Sequence, residues 1–354
     1  MVVCEKEIVK IIDTAQRILI IMIAKNIINS QYTINRAFIF PGQGSQSVGM
    51  GKDFFDSEKA ARLVFESVDD VLGYKLSEII FNGSSDDLSI TTNTQPAIMA
   101  TSMAIFKVLL EKSGKKIEEL CSVVAGHSLG EYSALCGAGA MTLEDTSILL
   151  KVRASSMQEA SPKGEGAMAA CLGISAAKLQ EMLDSVVDHG VCQIANDNVE
   201  GQIVISGHEY NVDRLVAVLK DTGFRAIKLN VSAPFHSSLI KAAEVPMEKA
   251  FSNINWTQPK IPLICNVTAK AETDINQIKQ NLLQQICGSV RWRETMNEFA
   301  ALGITELVEV GPGKVLTGLA KKSSHHFTTL SISTLKELED FLQTKDINPN
   351  KDVG

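Results

Sequence analysis

The sequence predicts an α/β protein whose large domain is split along the chain by an inserted small domain. Three observations lead there. Short apolar runs rich in β-branched residues alternate with helical periodicity from Arg36 onward. One such run, Val123-Val124-Ala125, turns sharply through Gly126-His127-Ser128-Leu129-Gly130 into a small-residue helix beginning near Glu131. Between the Ser161–Gly166 loop and Ser232-Ala233-Pro234 the order changes to strand, helix, strand, strand, helix, strand, the ferredoxin-like βαββαβ pattern.

Composition bounds the function. At 354 residues the chain can bury one large core or two domains, and 45% apolar with 21% charged residues is ordinary for a soluble globular protein. A net charge of −7 argues against nucleic acid as a general partner, and an acidic partner would need a local basic patch. Seven cysteines without a C-x-x-C pair read as reduced, buried and cytoplasmic. The six histidines lack metal-ligand spacing, so no metal is expected.

Residues 1–35 form an N-terminal extension to which no role is assigned. Ile18–Ala24 is strongly apolar, but the apolar patch falls short of the ~20 residues of a membrane span. Glu5 and Glu7 stand where a secretory signal needs positive charge. An accessory amphipathic helix, or an early start codon, is expected instead.

The large domain is expected over 36–160 and 232–340. Ala37–Phe40 is a strand followed at once by Pro41-Gly42-Gln43-Gly44-Ser45-Gln46, a loop without a Walker or dinucleotide signature and suited to bringing backbone N–H groups and Gln43 near a ligand. Phe54–Leu72 is expected to be helical, and Asn93-Thr94-Gln95-Pro96 to cap a helix over Ala97–Leu110.

The elbow comes next. Gly-x-Ser-x-Gly between strand and helix is the α/β-hydrolase-like arrangement, with Ser128 exposed at the apex as a nucleophile. Free backbone N–H groups at the helix start would stabilise an oxyanion beside it. Ser128-Leu129-Gly130-Glu131 also fits a Ser-x-x-Glu capping box, so these residues alone leave Ser128 as nucleophile or N-cap.

Thr142 starts a helix running to about Ala160. Arg153 lies on it between Leu149 and Met157, a cation on an apolar face. It either snorkels and pairs with a carboxylate, or waits in a cleft for a substrate carboxylate. Within the small domain, 161–231, strands are expected at Ala167–Leu172, Val191–Asn196, Gln202–Ser206 and Arg225–Val231, with helices at Ala176–Val187 and Val212–Asp221. Immediately after it, Ala233-Pro234-Phe235-His236-Ser237 re-enters the large domain. His236 is either a structural histidine or the base that a serine nucleophile needs. Strands Ile261–Val267 and Glu306–Val310, helices Ile275–Cys287 and Arg291–Gly303, and the loop Gly311-Pro312-Gly313-Lys314 complete the alternation. A polar tail, 341–354, follows.

Taken together, Phe40-Pro41-Gly42-Gln43-Gly44-Ser45-Gln46, Gly126-His127-Ser128-Leu129-Gly130-Glu131, Val152-Arg153, Gln202-Ile203-Val204-Ile205-Ser206-Gly207, Ala233-Pro234-Phe235-His236-Ser237 and Glu309-Val310-Gly311-Pro312-Gly313-Lys314-Val315-Leu316 resemble, in order, the motifs of the malonyl-CoA:acyl-carrier-protein transacylase family. The resemblance covers roughly 36–330. It implies Ser128 as nucleophile and His236 as general base, oriented by a backbone carbonyl instead of a carboxylate. It implies an oxyanion hole from the N–H groups of Gln43 and Leu129. Arg153 would hold the malonyl carboxylate with Gln285 beside it. Asn196 or Asn198 would contact the acyl-pantetheine arm, and Phe235 would leave no room for an α-methyl branch. Two stretches depart from the family pattern by lacking its usual proline, Val199-Glu200-Gly201 and Cys287-Gly288-Ser289-Val290.

The implied activity is ping-pong malonyl transfer from malonyl-CoA to the phosphopantetheine thiol of acyl carrier protein, supplying fatty acid synthesis, with malonyl-CoA as substrate and no cofactor. Candidate docking residues for the carrier are Lys314, Lys321, Lys322, Arg291 and Arg293, on a chain expected to be monomeric. The rival readings are an acyltransferase serving a polyketide-type carrier, a serine thioesterase, and a carrier-binding module with a decayed site.

Overall fold

Strand β1 (Arg36–Phe40) is the axis of the large sheet, with Ala37, Phe38, Ile39 and Phe40 all fully buried. A strand covered on both faces reads as a continuous apolar run, as this one does. The computed structural model describes residues 34–344 apart from Lys163 and Ser232. Residues 1–33 of the N-terminal extension, those two residues near the borders of the insert, and 345–354 of the polar tail lie outside the described residues.

The large sheet runs β10-β9-β1-β2-β7-β8, with β2 (Val123–Gly126), β7 (Leu263–Ile264), β8 (Ala271–Glu272), β9 (Glu306–Val310) and β10 (Thr328–Ile332). All neighbours are parallel except β8, which pairs antiparallel with β7 at the edge. Helices cover both faces. Phe38 and Phe40 enter one apolar cluster with the Thr91–Ser113 helix, while Ala37 and Ile39 enter another with Trp292, Met296 and Phe299. Parallel strands place their carboxyl ends along one crevice, where ligands of such sheets bind.

The small sheet runs β4-β5-β3-β6, all antiparallel, from β3 (Gly166–Leu172), β4 (Cys192–Val199), β5 (Gln202–His208) and β6 (Arg225–Lys228). With helices Ala176–Val186 and Glu209–Asp221, the chain order is the βαββαβ expected. Alternation decides which way this sheet faces. Ala167, Ala169, Cys171, Ile203 and Ile205 pack under its own helices, whereas Met168, Ala195 and Val204 join the core of the large unit. The crevice lies between the two sheets.

Several boundaries differ from expectation. The helix predicted from Phe54 is two, Lys52–Ser57 and Lys59–Leu72, broken where Glu58 is extended. The helix predicted from Ala97 begins at Thr91 and contains Pro96; the Thr94 hydroxyl donates back to the carbonyls of Leu88 and Ile90, so the start lies before the proline. The predicted Ile261–Val267 strand stops at Ile264, because Asn266 leaves the ladder to bond the elbow. β4 extends to Val199, and β6 ends at Lys228. β10 and the Leu335–Thr344 helix, which buries Leu338, Phe341 and Leu342, were not anticipated. Among the described residues, no helix is long and apolar enough to cross a membrane.

Candidate active site

The elbow dictates its own glycines. A Cβ on Gly126 would lie 1.9 Å from the carbonyl of Gly130, and one on Gly130 would lie 2.3 Å from the carbonyl oxygen of Phe40. Between them Ser128 is held at φ 54°, a left-handed conformation a serine adopts only under constraint. The constraint is Asn266: its Oδ1 accepts the Ser128 N–H at 2.7 Å and its Nδ2 donates to the Gly126 carbonyl at 2.7 Å.

The capping alternative fails. The Gly130–Gly137 helix has Leu129 at its N-cap with no side-chain cap, and the Ser128 hydroxyl lies 2.8 Å from His236 Nε2. His236 is 4% exposed and also in the left-handed region, at φ 58°. Its Nδ1 faces the carbonyl oxygens of Gln285 at 2.8 Å and Gly288 at 3.1 Å. Carbonyls only accept, so Nδ1 carries the proton and Nε2 presents its lone pair to Ser128. Burial, then the nearby Arg153 charge, push His236 down to about 3, which keeps the ring neutral.

Arg153 comes from the Leu143–Glu159 helix and is 1% exposed. It neither snorkels nor pairs with a carboxylate: Nη1 donates to Gln95 Oε1 at 2.7 Å, and Nη2 to Gln285 Oε1 at 2.9 Å and Ser128 Oγ at 3.1 Å. Burial lowers its pKa, opposed by Tyr132 and Glu131, and a guanidinium remains charged at any working pH. A buried cation whose acceptors among the described residues are all neutral oxygens, with Nε left without one, is a ready anion receptor.

These groups line a cavity of about 120 Å³ with Gln43, Leu129, Met157, Met168, Asn196, Leu229, Val231 and Phe235. The backbone N–H groups of Gln43 and Leu129 have no acceptor among the described residues. A larger groove of about 970 Å³ runs between the Lys59–Leu72 and Thr91–Ser113 helices, but no serine–histidine pair lies in it.

Of the predicted site residues, Ser128, His236, Arg153, Gln43, Leu129, Phe235 and Asn196 all line the small cavity. Gln285 lies behind Arg153 and is fully buried. Asn198 does not line the cavity: its Oδ1 meets His127 Nε2 at 2.9 Å, tying the small sheet to the elbow. The docking candidates are largely paired: Arg291 with Glu294 at 2.5 Å, Arg293 with Asp197 at 2.7 Å, and Lys314 with Glu337 at 2.6 Å. Lys322 meets Gln202 at 3.5 Å, and Lys321 is exposed. Sequence reasoning missed Gln95 as a partner of Arg153, Asn266 as the elbow clamp, and Glu131 as a partner of Gln285. Only Glu131 had a local signal, its place in the elbow motif.

Residues 37–349 match the acyl transferase domain family. The malonyl CoA-acyl carrier protein transacylase of Bacillus subtilis is 42% identical over 317 residues, covering 89% of this chain and 98% of its own. The crystal structure of an acyl-carrier-protein-S-malonyltransferase from Bartonella henselae superposes with a TM-score of 0.85 at 49% identity, covering 87% of this chain and 98% of that one. A malonyl-transacylase solved in complex with a type II PKS acyl-carrier protein gives a TM-score of 0.84 at 36% identity, covering 87% and 99%. A serine elbow, a histidine aimed by carbonyls and a match across nearly the whole chain lead to one conclusion: the chain belongs to the acyl transferase domain family.

Proposed function

We propose that the protein transfers the malonyl group of malonyl-CoA to the phosphopantetheine thiol of an acyl carrier protein through a malonyl-Ser128 ester. The observation that carries this reading is Arg153, buried without a carboxylate partner among the described residues and 3.1 Å from the Ser128 hydroxyl. A free carboxylate one methylene away from the reacting carbonyl suits that placement, and the names of the relatives agree.

In the first half-reaction the Ser128 Oγ–H proton passes to His236 Nε2 as Oγ bonds to the thioester carbon. The carbonyl oxygen takes up the electron pair and is met by the N–H groups of Gln43 and Leu129. Collapse breaks the carbon–sulfur bond, and the departing coenzyme A sulfur receives the proton from His236. The carrier thiol then repeats the sequence in reverse. Burial is the larger cause of the depressed His236 and persists, but a malonyl carboxylate on Arg153 offsets the second, the guanidinium charge, so the base strengthens when the correct substrate is in place. Asn196 and Phe235 would contact the acyl and pantetheine portions, and no cofactor enters.

The same reading takes the large unit as α/β-hydrolase-like and the small sheet with its helices as a ferredoxin-like insert. The parallel sheet with its elbow and the β4-β5-β3-β6 order support both. A polyketide-type carrier is the second reading, favoured by the carrier complex of the relative above. Lys321 and Lys322 remain the docking candidates with least internal pairing.

Intact mass after incubation with malonyl-CoA, without acceptor, tests the proposal. A malonyl adduct on the parent, absent from Ser128→Ala and weakened in Arg153→Ala, is expected. Steady release of coenzyme A without an adduct would indicate a thioesterase, and neither would indicate a binding module.

A further inference from the structure

Glu131 is 1% exposed, and its carboxylate accepts from Gln285 Nε2 at 2.6 Å and from the Asn266 N–H at 3.3 Å. Gln285 Nε2 also donates to the Ser128 carbonyl at 2.9 Å. Both targets are acceptors only, so the NH2 end of the Gln285 amide must face them. Its Oε1 is left pointing to Arg153 Nη2 at 2.9 Å. A flipped amide would set N–H against N–H at Arg153 and oxygen against carboxylate at Glu131. Glu131, the charged and nearer of the two acceptors, therefore acts with the Ser128 carbonyl to decide which end of Gln285 meets the guanidinium.

Asn266 belongs to the same network, its Oδ1 accepting from Gln285 Nε2 at a long 3.4 Å, but its short bonds go elsewhere. Its side chain holds the Ser128 N–H and the Gly126 carbonyl, and so the shape of the elbow. The two residues touch, yet one supports Arg153 and the other the nucleophile.

Resting on the function proposed above, we infer that Glu131 is a positioning residue for acyl-group specificity. By fixing the Gln285 amide it keeps the Arg153 fork set for an acyl group that bears a carboxylate. Asn266 keeps Ser128 competent toward any acyl group. Burial pushes the Glu131 carboxyl up to about 7, opposed by Gln285, Asn266 and Arg153, which marks these contacts as the ones that hold its charge.

The test compares kcat/KM for malonyl-CoA and acetyl-CoA in the parent, Glu131→Gln and Asn266→Ala. Glu131→Gln should lower the malonyl-to-acetyl ratio about tenfold, the size of one disordered charge-assisted hydrogen bond, chiefly through the malonyl KM. Asn266→Ala should lower both substrates together and leave the ratio within about twofold. If Glu131→Gln yields no folded protein, Gln285→Met removes the Oε1 acceptor that Glu131 orients and must show the same fall in ratio. A parallel loss of both activities in Glu131→Gln, or no change in either, overturns the inference. A parent that forms no malonyl-serine instead overturns the functional proposal on which it rests.

Discussion

Gln285 meets His236 through its backbone and Arg153 through its side chain: the carbonyl oxygen lies 2.8 Å from His236 Nδ1, and Oε1 lies 2.9 Å from Arg153 Nη2. The two functions of the site are thus anchored at one residue by separable groups.

Gln285→Leu should separate them. The carbonyl persists, so the His236 tautomer and the reactivity of Ser128 toward a neutral sulfonyl fluoride should change by less than about threefold. Malonyl transfer should fall about tenfold or more in kcat/KM with the loss of the amide beside Arg153. Loss of both reactions together would mean that the side chain, not the carbonyl, supports the base.

Arg153→Ala removes the receptor itself. Malonyl kcat/KM is expected to fall on the order of a hundredfold or more, as charge-assisted bonds are lost in a buried site. Acetyl-CoA, which has no carboxylate to lose, should become the better substrate. Steady-state rates with the two thioesters decide it; an unchanged preference for malonyl would place its recognition elsewhere.

The buried histidines set the acid limb of stability. Burial holds His236 at about 3 in the folded protein and lowers His127 too, against an ordinary value of 6.5. Below pH 6.5 the unfolded chain binds protons that the native one does not, so stability falls from there toward pH 3. Glu131 acts oppositely: raised from 4.5 to about 7, its contribution is full below 4.5 and lost as pH rises through 7. His236→Gln should therefore lose about 2 kcal/mol less than the parent between pH 6.5 and 5. Thermal melts at pH 7.5 and 5 measure this; an equal fall in both proteins would contradict it.

Gly126→Ala tests the elbow as packing. The added methyl would sit 1.9 Å from the Gly130 carbonyl, far inside van der Waals contact, with backbone and not a flexible side chain in its way. Destabilisation above ~4 kcal/mol is expected, seen as insoluble protein or a large drop in Tm. A soluble variant melting within a few degrees of the parent would show that the turn can open.

Much of this site was legible along the chain because its parts are local. A strand, two glycines, a serine and a helix within Val123–Gly137 mark the elbow by local sterics, and the short apolar runs at β1 and β9 mark buried parallel strands. Boundaries failed where a long-range bond outranked local preference. Asn266 shortens β7 because its amide is claimed by residues 126 and 128, and no period within 261–267 encodes that demand.

The amino-acid order by itself determined the fold class, the elbow and a short list of candidates for its chemistry, since backbone sterics and hydrophobic period act over a few residues. Only the tertiary structure decided which side of each ambiguity holds. It brought His236 across 108 residues and Gln285 across 132 to Ser128 and Arg153, and it left the guanidinium without a counter-carboxylate among the described residues. It also gave Glu131 and Asn266 their separate tasks. Those outcomes depend on which buried donors and acceptors must satisfy one another once water is excluded, a condition set by packing and not by neighbours in sequence.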